Sequence, residues 1–151
     1  MIESHWIYKN KSIIEPPLGY EGFIYLITNL TNDFRYIGRK YINSTRKKNL
    51  TANQRKQGLK RRPKVTTESN WKIYTGSNKT LNNDIINLGK DNFKFEILYW
   101  CKTKAHTNYM EMWYQFKTNC ILDSKYYNDA IGSNKFSNIS EKDALLEVIN
   151  S

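Results

Sequence analysis

A chain of 151 residues with a hydrophobic fraction of 39% suits one domain with a buried core. No apolar run approaches the about 18 residues that cross a bilayer, and the opening Met1-Ile2-Glu3-Ser4-His5-Trp6 has neither the basic start nor the apolar stretch of a secretory signal. These features exclude the membrane-spanning and exported classes and predict a cytoplasmic protein. Lys and Arg number 24 against 14 Asp and Glu, for a net charge of +10. Nine of those cations (Arg46, Lys47, Lys48, Arg55, Lys56, Lys60, Arg61, Arg62 and Lys64) fall between residues 46 and 64, where no acid occurs, and the rest of the chain is nearly neutral. Such concentrated charge is the footprint of a polyanionic partner.

In chain order, residues 1–19 read as an N-terminal extension, closed by the extended Glu15-Pro16-Pro17-Leu18-Gly19 stretch, with the domain proper beginning near Tyr20 and Trp6, Ile7 and Tyr8 free to dock on its body or on a partner. The β-branched and aromatic runs Gly22–Thr28 and Phe34–Tyr41, separated by the turn-forming Asn29-Leu30-Thr31-Asn32-Asp33, predict a β-hairpin. With Asn29 to Asn32 as its loop, Thr28 faces Asp33 and Tyr25 faces Tyr36. Lys40 then shares the face of the two phenols, and Arg35 and Arg39 lie on the other.

The basic window follows, with a short helix predicted around Ala52 to Leu59 and mobility expected when no polyanion is bound. Leu81, Ile85 and Leu88 recur at helical spacing across Lys79 to Leu88; Ser77 or Asn78 is placed to cap this helix and Gly89 to end it. Ser77 therefore offers a phosphate contact beside its capping role. Phe93 to Trp100 alternates as a strand central to the sheet.

The next helix runs from Lys104 to Thr118, with Ala105, Tyr109, Met112 and Phe116 as its apolar stripe and Glu111 off it, on the side of Asn108 and Gln115. Residues 121–136 read as irregular, and 137–151 as a terminal helix capped by Ser140. Cys101 and Cys120, isolated in sequence, are expected as reduced buried thiols. With only His5 and His106 beside them they form no zinc centre.

Phe23-Ile24-Tyr25 and, eleven residues on, Tyr36-Ile37-Gly38 resemble the signature of the GIY-YIG nuclease superfamily. Phe23 departs from the pattern's glycine, with Gly22 one place earlier. Arg46 lies ten residues past Tyr36, where the family has an arginine, and Glu111 stands as its helical carboxylate. Trp71–Ser77 and Tyr126-Tyr127-Asn128 resemble the phage-encoded and small restriction-enzyme branch, so the likeness spans roughly residues 20 to 130.

The resemblance implies an α/β fold, an α+β sandwich with a small, mainly antiparallel sheet over residues 20–136, carrying an endonuclease that cleaves double-stranded DNA to 5′-phosphate and 3′-hydroxyl ends. It implies one Mg²⁺ (or Mn²⁺) ion on Glu111 and a phage or mobile-element origin, and it leaves a homodimer open.

Phosphodiester hydrolysis needs an activated water, neutralisation of the phosphate and help for the departing oxygen. Tyr25 is the candidate base with Tyr36 as the competing assignment, nearby cations such as Arg46 and Lys40 favouring the phenolate. Arg46 is the candidate phosphate clamp. Arg39 and Lys40 both follow Tyr36-Ile37-Gly38 where relatives carry a basic residue, and either one serves. Lys47, Lys48, Arg55, Lys56, Lys60, Arg61, Arg62, Lys64, Ser77 and Asn128 are candidate DNA contacts, Asn128 equally a structural turn residue. Two other readings stand beside this one: a catalytically silent basic DNA-binding module, and an RNA or structure-selective nuclease on the same scaffold. A pure binder has no use for a lone carboxylate near a phosphate, which speaks against the first.

Overall fold

The computed structural model describes residues 3–136, 139 and 141–151. Among them the elements run β1 (Ile7–Tyr8), β2 (Lys11–Ser12), β3 (Gly22–Asn29), β4 (Arg35–Tyr41), β5 (Asn43–Lys47), α1 (Ala52–Lys56), β6 (Lys64–Glu68), α2 (Lys79–Leu88), β7 (Phe93–Cys101), α3 (Lys104–Lys117), β8 (Ala130–Ile131), β9 (Asn134–Lys135) and α4 (Lys142–Asn150). The main sheet has the order β2-β1-β7-β3-β4 and is antiparallel except where β1 runs parallel to β7. This is the mixed α/β architecture expected, with β7 at the centre and β4 on one edge.

Alternation along β3 divides the core. Phe23, Tyr25 and Ile27 join Phe93, Phe95, Ile97 and Trp100 of β7 on one face, closed by Trp6, Trp71 and the Leu81 and Ile85 stripe of α2. Ile24, Ile37 and Cys101 look the other way, toward Met110 and Tyr114 of α3. Asn78 caps α2 by accepting from Leu81 N, and Gly89 ends it. Both cysteines are free and buried.

Five expectations are corrected. First, the hairpin register is two residues off: Thr28 pairs with Arg35, Tyr25 with Gly38 and Ile27 with Tyr36. Asn29 stays in the strand while its Oδ1 accepts from Thr31 N, and Asp33 takes a left-handed φ of 63°, so the loop is longer than the predicted Asn29 to Asn32. A slip of two keeps every side chain on its face, so Tyr25 and Tyr36 remain neighbours, diagonally, with ring centroids 6.1 Å apart.

Second, residues 6–13 are built into the domain. Trp6 is fully buried and its indole donates to Trp71 O at 2.5 Å, while Ile7 pairs with Glu96 of the central strand. Third, the basic window is a folded arm: β5 and β6 pair from Asn43↔Glu68 to Lys47↔Lys64, and α1 at the tip is shorter than predicted, with Thr51 and Gln54 forming a capping box.

Fourth, α3 turns the opposite stripe inward. Thr107, Glu111 and Gln115 are buried, whereas Tyr109 and Phe116 are more than half exposed, because the polar side chains of the inner stripe find partners there. Fifth, residues 121–136 include the small β8–β9 hairpin, packed with Cys120, Ile121 and Leu122 in a second core. The predicted cap Ser140 lies outside the described residues; α4 begins at Lys142 after Glu141 in a left-handed conformation.

Candidate active site

A cleft of about 760 Å³ wraps around the β4 edge of the sheet. Because β4 has no further strand beyond it, side chains from both of its faces reach the same space: Tyr36 and Lys40 from one, Arg39 and Tyr41 from the other. Tyr25 enters from β3, Glu111 and Gln115 from α3, Tyr74, Ser77 and Asn78 from the segment leading into α2, and Asn128 and Asp129 from the loop before β8.

Two glycines make the phenol pair possible. A methyl group on Gly38 would fall on the Tyr25 hydroxyl and 2.6 Å from its Cζ, and one on Gly76, where φ is +86°, would stand 3.2 Å from Cε1 of Tyr36. Tyr25 thus lies across bare backbone, almost wholly buried, and lines the cleft. The Tyr36 hydroxyl meets Ser77 Oγ at 3.4 Å.

Electrostatics in the cleft run against easy ionisation of the phenols. Burial pushes Tyr25 well above the usual tyrosine range, with Tyr36, Tyr74 and Glu111 adding to it and only Arg39 opposing. Burial likewise raises Tyr36. The expected help from Arg46 and Lys40 is missing: Lys40 points at the Tyr74 ring, its Nζ 4.0 Å from the centroid, and burial lowers its own pKa. Glu111 is 7% exposed and its Oε1 accepts from Arg39 Nη1 at 2.6 Å. Burial raises the Glu111 carboxyl, and the guanidinium offsets this without cancelling it.

Of the residues singled out in the sequence, Tyr25, Tyr36, Arg39, Lys40, Glu111, Ser77 and Asn128 come together here. Arg46 does not. It stands exposed on β5, beside Lys47, Lys48 and Arg62 in a separate shallow depression along the arm, and Arg55, Lys56, Lys60, Arg61 and Lys64 are exposed on the same arm. Asn128 lines the cleft but its amide is occupied: Oδ1 accepts from Ile37 N at 3.0 Å and Nδ2 donates to Ile37 O at 2.7 Å.

Against this geometry stands one comparison. A family model described as "Putative endonuclease segE, GIY-YIG domain" matches residues 6–131, most of the chain. The chain belongs to the GIY-YIG family. No curated protein and no solved structure matches it. As a GIY-YIG endonuclease it is a phosphodiester hydrolase with DNA as the substrate the domain implies, and the match begins at Trp6, the residue that the fold places in the core. No helix among the described residues is long and apolar enough to cross a membrane.

GIY-YIG nucleases generally depend on a divalent metal, and the donor set here fits one kind of ion. No group of three or more His, Cys, Asp or Glu side chains gathers among the described residues. A hard cation that keeps most of its waters needs only one or two carboxylates and the substrate's phosphate oxygens, and Glu111 supplies the first.

The cleft of this GIY-YIG enzyme also holds residues that sequence reasoning passed over. Asp129 is a second carboxylate at its mouth, close enough to raise Tyr36. Gln115, which follows Glu111 by one helical turn, donates to Ile37 O at 3.2 Å and accepts from Gly132 N. Tyr41 donates to Asn108, one turn before Glu111. The two helix residues were visible as the face shared with Glu111; Asp129 carried no signal beyond standing next to Asn128.

Proposed function

We propose that the protein is a metal-dependent endonuclease of double-stranded DNA in which Tyr25 takes the proton of the attacking water and Glu111 holds a single Mg²⁺ ion. The observation that carries this reading is one cleft, in one subunit, in which a buried carboxylate and two phenols face a space large enough for a phosphodiester. Glu111 of the same chain lines that cleft, so no partner subunit is needed to complete it.

Tyr25 is taken as the base and Tyr36 as the competing one, since Ser77 Oγ, 3.4 Å from the Tyr36 hydroxyl, favours the Tyr36 phenolate. With its pKa raised in the free protein, Tyr25 rests as the neutral phenol, and a divalent cation held by Glu111 would favour its phenolate. Arg39, now on Glu111, and Lys40, now over Tyr74, are cations of the cleft within reach of a phosphate there, with Lys79, Lys104 and Lys135 also on its wall. A divalent ion on Glu111 would supply charge stabilisation at the departing 3′ oxygen. Tyr36 and Ser77 form a polar wall that orients the water and the attacked phosphate. The phage or mobile-element setting rests on the Trp71–Ser77 and Tyr126–Asn128 stretches.

The test is direct. Supercoiled plasmid is incubated with the protein with Mg²⁺, with chelator, and beside Glu111→Ala and Tyr25→Phe. Nicking that requires Mg²⁺ and falls by about 10³-fold in each variant is expected, a size typical of losing one group that acts in the transition state. Binding without metal-dependent nicking in the wild type overturns the proposal in favour of a silent DNA-binding module.

A further inference from the structure

The arm formed by β5, α1 and β6 has features that a solvated surface loop does not need. Its two strands pair in full register yet bury nothing: all five residues of β5 are exposed, and in β6 only Val65 is partly covered. A two-stranded ribbon standing alone is marginal in water, and this one sets Lys47 directly opposite Lys64, a like-charge cross-strand pair that works against it.

Its root, by contrast, is fixed. Ile42 N donates to Glu21 O at 2.9 Å, Ser69 N to Ile42 O at 2.8 Å and Ser69 Oγ to Tyr41 O at 2.6 Å, so the strand carrying Tyr36 continues into the ribbon through the buried Ile42. Asn43, Ser44 and Thr45 at the base of the ribbon are part of the cleft wall.

The two faces of the ribbon differ. Asn43/Glu68, Thr45/Thr66 and Lys47/Lys64 lie on one, Ser44/Thr67 and Arg46/Val65 on the other. On the first face the single acid is withdrawn, because Glu68 Oε1 accepts from the Trp71 indole at 2.9 Å. What remains outward there is a neutral pair of hydroxyls, Thr45 and Thr66 with their oxygens 3.1 Å apart, backed by two lysines.

We propose that this ribbon enters the major groove of duplex DNA, with the Thr45/Thr66/Lys47/Lys64 face reading base edges and the arm's other cations holding the backbone. The inference rests on the duplex-DNA reading above and deepens it by naming the element that selects the site. The major groove, about 12 Å wide, admits a two-stranded ribbon, and hydroxyl and ammonium groups match its donor and acceptor pattern. Acceptors such as guanine N7 and O6 brought to Lys47 and Lys64 also relieve the repulsion that the free arm carries. Because Thr45 follows Tyr36 by nine residues, the chain between them spans at most about 30 Å. The bases read must therefore lie within about nine base pairs of the cut.

The experiment is cleavage of a randomised duplex library, sequenced at the cut ends, for the wild type, Thr66→Val and Thr67→Val. Alongside it, binding interference by guanine N7 methylation is mapped with Glu111→Gln, which needs no cutting. We expect a base preference at fixed offset within about nine base pairs of the cut, weakened about tenfold or more by Thr66→Val and kept by Thr67→Val on the opposite face. Methylation at the same positions should block binding. Equal effects of both threonine variants, a preference untouched by Thr66→Val, or binding indifferent to N7 methylation overturns the inference. A wild type that binds but never cuts defeats the nuclease reading, while the interference map still decides the ribbon's role.

Discussion

Arg39 Nη1 and Glu111 Oε1 are 2.6 Å apart, joining the edge strand to a buried carboxylate on a helix 72 residues further along the chain. The guanidinium occupies an oxygen that a metal ion would use. Removing it should therefore separate two quantities that usually fall together. Arg39→Gln is expected to lose about 1–2 kcal/mol of stability, less than the ~3–5 of a fully buried pair because Arg39 is 36% exposed. The same variant should bind Mg²⁺ more tightly, read as a larger rise in Tm on Mg²⁺ titration, while its cleavage falls. Unchanged Mg²⁺ response would show that the ion does not use Glu111.

Gly38 is the position where the phenol pair is most easily destroyed without touching a phenol. Gly38→Ala places a methyl group where the Tyr25 ring now lies, and overpacking of this kind costs about 1–3 kcal/mol. Tm should drop by several degrees, and nicking should fall far more than stability does, because the ring must leave its position. Retained activity would mean that the position of Tyr25 is not critical.

The pH dependence of cleavage follows from the sign of the tyrosine shift. A base must be deprotonated to act, and burial raises Tyr25 above its ordinary value. kcat/KM, which reports groups of the free enzyme, should therefore climb with pH through neutrality and show no plateau up to about pH 9. A plateau near pH 7 would point to a different base.

A second pH effect concerns stability alone. His5 Nε2 donates to the carbonyl of Tyr74 at 2.9 Å while its ring stacks on Phe95 with centroids 3.9 Å apart. Burial, with Lys90 nearby, lowers its pKa from 6.5 to about 4. Below pH 6.5 the unfolded chain takes up a proton that the folded one refuses, so stability falls as pH drops from about 6.5 to about 4 and levels off with respect to this group beyond that. The Tm of His5→Gln should decline less steeply than the wild type's across that window, as followed by circular dichroism.

Much of this architecture was legible in the chain, for identifiable reasons. Helix α2 was readable because Leu81 and Ile85 keep helical spacing between a capping Asn78 and a terminating Gly89. Strand β7 alternates as expected from Phe93 to Ile97, and then a bulge sends Trp100 rather than Tyr99 into the core, which alternation alone does not foretell. The hairpin register failed because Asn29 spends its side chain on Thr31 and leaves its backbone in the ladder, a choice that turn composition does not reveal.

Helix α3 failed more instructively. Hydrophobic periodicity selected Tyr109, Met112 and Phe116, yet the buried stripe is Thr107, Glu111 and Gln115. Polar residues turn inward where they are needed, and a period count assigns them to solvent. The same bias left residues 6–13 outside the domain, since a short segment before a Pro-Pro pair gives no local sign that Trp6 completes the core. Trp6→Ala should cost about 3–5 kcal/mol, and a chain starting at Tyr20 should fail to give a cooperative thermal transition.

Asn128 shows what holds the site open at its outer border. Its amide copies a peptide group, giving and taking one hydrogen bond with Ile37, while Lys125 O and Tyr127 N occupy the backbone of Arg35 next to it. A bare outermost strand invites a neighbouring molecule to lie alongside and zip on. Here that invitation is answered from within the chain, over the very residues that carry Tyr36 between them. Self-association by strand addition at Arg35 to Ile37 would have to evict this loop first, so the stretch that carries Tyr36 is kept from a second copy.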